Sequence, residues 1–159
     1  AGPASAYVFH TASFSPDILD VHIDEPSPGQ GDIYIYQASP VTAARLSEIH
    51  AALDHVRPLN DEVRVLAYTA SDFDIEAELT LAAGIDPADV LPASEAAGRA
   101  YIASRQAFGK RVYKNAILTA LQVDGVENVN LISPANDIAP PENGVAIIGN
   151  VEISEAVNA

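Results

Sequence analysis

A chain of 159 residues, 48% of them hydrophobic, is too apolar to stay disordered and long enough to bury about two thirds of its unfolded surface without staples or metals. It has no cysteine, which excludes a disulfide framework, a thiolate zinc site and a cysteine nucleophile. Its 22 acidic and 8 basic residues leave a formal charge of −14, a surface that repels phosphate and argues against nucleic acid or an anionic membrane as partner.

Aromatic residues are few, so the core is expected to be aliphatic. No apolar run approaches the ~20 residues that span a bilayer, and no charged-then-apolar leader opens the chain, so membrane insertion is not expected. The chain starts Ala1-Gly2-Pro3 and contains no methionine, and it reads as a processed or truncated piece of something longer.

Residues 18–24 alternate as a strand does, and the stretch from Pro26 to Asp32 is dense in turn residues. Ile33-Tyr34-Ile35-Tyr36 then forms the second arm of a hairpin. Gly29 and Gly31 are turn glycines rather than a phosphate cradle, because a strand and not a helix follows them. Ser39-Pro40 offers an N-cap and a first-turn proline, and Leu46, Ile49 and Leu53 recur at helical spacing as a buried stripe. Arg57-Pro58 ends this helix, since proline disfavours helical backbone at the residue before it. Val63 and Val65 point the same way in the strand that follows.

Residues 72–81 alternate more cleanly: Asp72, Asp74, Glu76 and Glu78 face one side, Phe73, Ile75, Ala77 and Leu79 the other. Asp86-Pro87 caps a helix whose apolar face is read at Val90, Ala93, Ala97, Tyr101 and Phe108, with Pro92 expected to kink or divide it. Residues 116–121 form a second short helix, Asp124-Gly125 turns into a strand over 126–132, and 146–153 is the last strand after a Pro- and Asn-rich loop. The expected class is α+β. Two small consecutive units, β-β-α-β over residues 1–69 and β-α-α-β-β over 70–159, would hold mostly antiparallel sheets, because neither shows the strict alternation of a doubly wound fold.

Candidate chemistry is sparse. His50 and His55 do not share a helix face, and His22 with Asp24 lacks a third ligand, so no metal site is assigned. The ladder Asp72, Asp74, Glu76 and Glu78 lacks the EF-hand glycine and terminal glutamate, and a solvated face matched to neighbours across the sheet explains it more simply. No Gly-x-Ser-x-Gly elbow is present. Arg99, Arg105, Lys110, Arg111 and Lys114 gather five of the eight basic residues within sixteen positions. They read either as a docking patch for an acidic protein partner or as a solvated helix face.

The stretch VRPLNDEVRVLAYTASDFDIEAELTL, residues 56–81, resembles the phage baseplate J-like protein family, whose members carry a V-R-P-L-[TN]-D-x-V-x-V segment before an alternating strand. SPDILDVHIDEPSPGQGDIYIY is similar to the family's strand, turn and returning strand. YIASRQAFGKRVYKNAILTALQVDGVENVNLISPANDI follows its helix, Gly-[KR] turn, second helix, strand and Ser-Pro-Ala loop. The resemblance runs from about residue 4 to the end and corresponds to the C-terminal portion of longer members, with Pro92 as a departure in the long helix.

The resemblance implies a structural component of a contractile-tail baseplate, in a phage tail or a tail-derived injection machine. Its partners would be other baseplate wedge, hub and sheath-initiating proteins, with an oligomeric ring in the particle and a monomer compatible with an isolated fragment. Its place would be the virion tail baseplate, and the host cytoplasm during assembly. The family offers no catalytic residue, cofactor or metal ligand to carry over, and Arg57, Pro58, Leu59 and Asp61 become an architectural corner. The alternative of a different class is a metal-dependent or carbohydrate-active enzyme using Asp72, Asp74, Glu76 and Glu78, with His22 as a further ligand.

Overall fold

The computed structural model describes residues 3–58 and 60–157. Its order is α1 (Pro3–Phe14), β1 (Ile18–Ser27), β2 (Gln30–Gln37), α2 (Ala43–Leu53), β3 (Glu62–Ala67), β4 (Thr69–Leu81), α3 (Pro87–Arg105), α4 (Lys114–Leu121), β5 (Val126–Ser133) and β6 (Gly144–Glu155). Helices and small mixed sheets make the class α+β, as expected. The chain divides into two compact units. One gathers Ala1–Thr69, Ala107–Gly109 and Pro141–Val145; the other gathers Ala70–Gln106, Lys110–Pro140 and Ala146–Ala159.

In the first unit the sheet order is β1-β2-β3. β1 and β2 form the expected antiparallel hairpin, with Ile23 opposite Ile33 and a turn in which Gly29 adopts φ +78°, a left-handed conformation that glycine enters at no steric cost. β2 and β3 pair in parallel, Ile33 against Val65, because α2 carries the chain back across the sheet between them. Ile33, Ile35, Val63 and Val65 bury one face of this sheet against Ile49 and Leu53 of α2 and Tyr7 of α1. Each such aliphatic side chain stabilises the unit by about 1.5–3 kcal/mol on transfer from water.

Two local expectations are corrected here. α2 starts at Ala43, not at Pro40: Thr42 is the N-cap and its hydroxyl accepts from the Arg45 N–H at 3.2 Å. The Ser39 hydroxyl is occupied elsewhere, donating to the Asp17 carboxylate and accepting from Gln37. α1 has no counterpart in the sequence reading. It contains no Asp, Glu, Lys or Arg, and among its described side chains only Tyr7 and Thr11, one turn apart, are buried, so its apolar signal is too thin to show as a period.

In the second unit β4 is the central strand, in the order β5-β4-β6. β4 and β5 are antiparallel, with Ala77 opposite Leu131 and Leu79 opposite Val129. The inward residues Phe73, Ile75, Ala77 and Leu79 pack with Val90 and Ile102 of α3 and Ile117 and Leu121 of α4. α3 is capped as read, Asp86 accepting from Ala88 N–H at 2.9 Å with Pro87 at the helix start. Pro92 does not divide it; the helix runs unbroken to Arg105, giving up only the bond that residue 92 would donate to the carbonyl of Ala88.

The buried stripe of α3 is Val90, Ser94, Gly98 and Ile102, not the expected Val90, Ala93, Ala97 and Tyr101. Ala93 is exposed, and Phe108 lies beyond the helix among residues assigned to the first unit. Small residues won this face because α4 comes close. Ser94 donates to the Leu121 carbonyl at 2.7 Å, and a Cβ on Gly98 would lie 2.9 Å from Leu121 Cδ2.

Candidate interaction surfaces

The Arg57-Pro58 corner is built from four interactions in the first unit. Arg57 Nε donates to Asp54 Oδ1 at 2.6 Å and its Nη1 donates to the Asp61 carbonyl at 2.6 Å. Asp61 N–H donates to the Pro58 carbonyl at 3.2 Å, and Tyr7 Oη donates to Asp61 Oδ2 at 3.0 Å. Leu59 lies outside the described residues. One guanidinium thus spans the exit of α2 and the approach to β3, while the Asp61 carboxylate holds α1. Burial of the phenol, then the hydrogen bond and charge of Asp61, push the Tyr7 pKa up to about 12. Beside the corner is a cleft of about 210 Å³ lined by Tyr7, Ile23, Glu25, Gln30, Ile33 and Asp61. It falls below the roughly 300 Å³ at which small-molecule pockets begin.

On the opposite face of the same sheet Asp32 is buried and receives a two-pronged contact from Arg64, its register partner on β3, at 2.7 and 2.5 Å. His22 stacks between Tyr34 and Phe108, at 6.2 and 5.7 Å between ring centroids, and Phe108 N–H donates to Asp20 Oδ2 at 2.9 Å. His50 Nε2 is engaged with the Val63 carbonyl at 3.0 Å.

The acidic ladder lies outward on β4 as its alternation requires. Two of its members serve the sheet itself: Asp74 Oδ1 accepts from Asn150 N–H at 2.7 Å, and Glu78 Oε2 accepts from Asn130 at 3.2 Å. Among the described residues no group of three or more His, Asp or Glu is placed to hold a metal ion.

The five clustered cations do not share one helix face. Arg99 and Arg105 are on α3, Lys110 and Arg111 are in the connection after it, and Lys114 opens α4. Arg99 Nε pairs with Glu95 one turn earlier at 2.8 Å. Arg105 donates to the Arg111 carbonyl at 2.9 Å and lies 5.7 Å from the centroid of the Tyr113 ring. Arg111 has a long contact with Asp137 at 3.9 Å, while Lys114 Nζ donates to the Ala135 carbonyl at 3.2 Å. Tyr113, half exposed in their midst, and Ile132 on the outer side of β5 were not singled out from sequence. A lone tyrosine or isoleucine gives no signal until its exposure is known.

Residues 73–154 match the family model of the baseplate J-like protein C-terminal domain. The chain belongs to the baseplate J-like protein family. Baseplate protein J of Escherichia phage P2 is 30% identical over 143 residues, which are 87% of this chain and 47% of that protein. This baseplate J-like chain therefore spans about half the length of that curated relative. It shares its fold with a chain of the anti-feeding prophage baseplate, solved by cryo-EM with 6-fold symmetrisation. The TM-score is 0.67 at 15% identity, over 90% of this chain and 36% of the other. The stretch matched to the J-like C-terminal domain runs from Phe73 on β4 through α3 and α4 and into β6, so it covers Asp74, Glu76 and Glu78 of the ladder and all five clustered cations.

Proposed function

We propose that the chain is a structural part of a contractile-tail baseplate, forming wedge subunits around the hub through protein–protein contacts. The observation that carries this reading is the family match over residues 73–154, supported by the similarity to the phage P2 baseplate protein J. The work is mechanical: wedge subunits hold one ring arrangement before host contact and another after it, which needs interfaces with two discrete packings. Neighbouring wedge, hub and sheath-initiating proteins are the partners, and the tail baseplate is the location, with assembly in the host cytoplasm. The stretches 1–69 and 70–159 are assigned the part of jointed spacers, although residues 107–109 and 141–145 of the later stretch group with the first unit.

Docking is assigned to Arg99, Arg105, Lys110, Arg111 and Lys114, whose charge suits acidic neighbours on an otherwise acidic chain. Arg57, Pro58, Leu59 and Asp61 are architectural, holding the corner that orients β3. No catalytic step is assigned. Immunogold electron microscopy of tailed particles from the source organism tests the reading. Label at the distal end of the tail is the expected result, and tails that stay unlabelled while the free chain still binds antibody would overturn it.

A further inference from the structure

The cleft beside the Arg57-Pro58 corner owes its room to a missing side chain. Gly31 on β2 shares a sheet face with Ile33 and Ile35, the face that α1 and α2 cover. A Cβ at Gly31 would stand 4.0 Å from Val63 Cγ2 on β3, an ordinary contact, so the space above the glycine is open. Ile23, Ile33 and Val63 give the cleft an apolar lining, and Tyr7 of α1 forms a wall. At about 210 Å³ it has room for one long side chain.

The polar part of the lining offers acceptors from three elements: Glu25 on β1, Gln30 on β2 and Asp61 before β3. The Glu25 carboxylate has no partner among the described residues. Asp61 Oδ2 takes the Tyr7 hydroxyl, and its Oδ1 has no donor among the described residues. Gln30 Nε2 donates to Glu62 Oε2 at 3.1 Å, which leaves its Oε1 as an acceptor. The tyrosine hydroxyl and the glutamine amide thus already donate within the chain. Residues 3–69 contain no lysine, and each of their arginines is paired elsewhere: Arg45 with Glu48, Arg57 with Asp54, Arg64 with Asp32.

An apolar lining with acceptors around it suits a group that is alkyl along its stem and donor-only at its tip. Lysine is such a group. The three hydrogens of its ammonium can meet acceptors from three directions, whereas the planar fork of arginine is matched to a single carboxylate.

We infer that the cleft receives a lysine side chain from a neighbouring baseplate protein, its ammonium between Glu25, Gln30 and Asp61 and its methylenes against Ile23, Ile33 and Val63. The inference deepens the baseplate reading above, on which it rests for the kind of neighbour. A side chain is favoured over a free amine because a docked partner presents it at high effective concentration, so one small site suffices.

Amide NMR spectra of the full chain, titrated with N-acetyl-lysine methylamide, read the cleft directly. Saturable shifts are expected at Gly29, Gly31 and Val63, and the uncharged N-acetyl-norleucine methylamide should give none there. Glu25→Gln should weaken the lysine probe several-fold. Gly31→Val should abolish its binding by filling the space with no change of charge. Asp24→Asn removes the same charge one residue away, on the other face of β1, and should leave binding unchanged. No saturable shift, or equal weakening by Asp24→Asn and Glu25→Gln, overturns the inference.

The occupant is read in tailed particles with a carbodiimide, which joins a carboxylate to an amine already in contact with it. Mass spectrometry should find Glu25 or Asp61 joined to a lysine of another protein. A link to Lys110 or Lys114 of another copy, or a Glu25 left unlinked in gold-labelled baseplates, overturns this occupant. Spermidine binding far more tightly than the lysine probe also overturns it and assigns the cleft to a free polyamine. Gold label on baseplates without probe binding removes the cleft inference alone. Probe binding with unlabelled tails removes the baseplate reading and leaves the cleft's preference for an ammonium standing.

Discussion

Tyr7 on α1 donates its phenolic hydrogen to Asp61 Oδ2 at 3.0 Å, across 54 positions of sequence. The same aspartate accepts Arg57 at its backbone carbonyl, so the loop before β3 is tied at once to the end of α2 and to α1. An Arg-Pro-Leu-Asn-Asp corner is thereby an anchoring point for a helix far away in the chain.

This relationship predicts alkaline sensitivity. The Tyr7 pKa is raised from 10.0 to about 12, so the folded state favours the protonated phenol. The stabilisation is fully present below pH 10 and is lost as pH rises from 10 towards 12. Urea melts of the parent should show falling stability across that window, and Tyr7→Phe should remove Tyr7's share of the slope. A Tyr7→Phe chain with the parent's full alkaline slope would show that the phenol does not couple to folding.

At Asp61 the expected effect is already present at neutral pH, and substitution should also flatten the alkaline slope because Asp61 helps to raise the Tyr7 pKa. Asp61→Ala leaves the buried Tyr7 hydroxyl without its acceptor and should cost about 1–3 kcal/mol, the usual penalty for an orphaned buried polar group. Denaturant midpoints at neutral pH measure it.

The close approach of α3 and α4 predicts an intolerance of even one methyl group. Gly98→Ala gains up to about 1 kcal/mol of helix propensity, yet its Cβ meets Leu121 Cδ2 at 2.9 Å, and overpacking of a core costs about 1–3 kcal/mol. The net result should be destabilising, and more so for Gly98→Val. Combining Gly98→Ala with Leu121→Ala should cost less than the sum of the two single changes, because the truncated leucine makes the room the alanine needs. A double-mutant cycle in urea reads this directly.

Arg64 and Asp32 offer a test of geometry over charge. Asp32 is buried, and its carboxylate is met by two guanidinium nitrogens at once. Arg64→Ala should lower the stability of the first unit, because it leaves the buried Asp32 carboxylate without both guanidinium donors. Arg64→Lys should recover only part of it, since an ammonium cannot reproduce the planar fork.

The helix start at Thr42 predicts that Thr42→Ala costs about 1 kcal/mol, the typical loss of an N-cap. Ser39→Ala should leave the start of α2 unchanged, as hydrogen exchange of the Arg45 and Leu46 amides would report.

By itself the sequence determined whatever depends on local periodicity and composition. The two-residue alternation of β4, the Asp86-Pro87 cap, the hairpin of β1 and β2 and the α+β class follow from patterns that tertiary contacts do not reverse. Ordered blocks of residues were also enough to point to the baseplate J-like family, which the match over residues 73–154 then established. Tertiary structure decided what depends on which surfaces meet. α1 has too thin an apolar stripe to announce itself and is held through Tyr7 and Asp61. The buried face of α3 is set by how near Leu121 comes, so Ser94 and Gly98 displaced the larger residues that hydropathy favours. The clustered cations were legible as charges, but their spread over two helices and a connection, and the exposed Tyr113 among them, follow from backbone paths that no window of sequence contains.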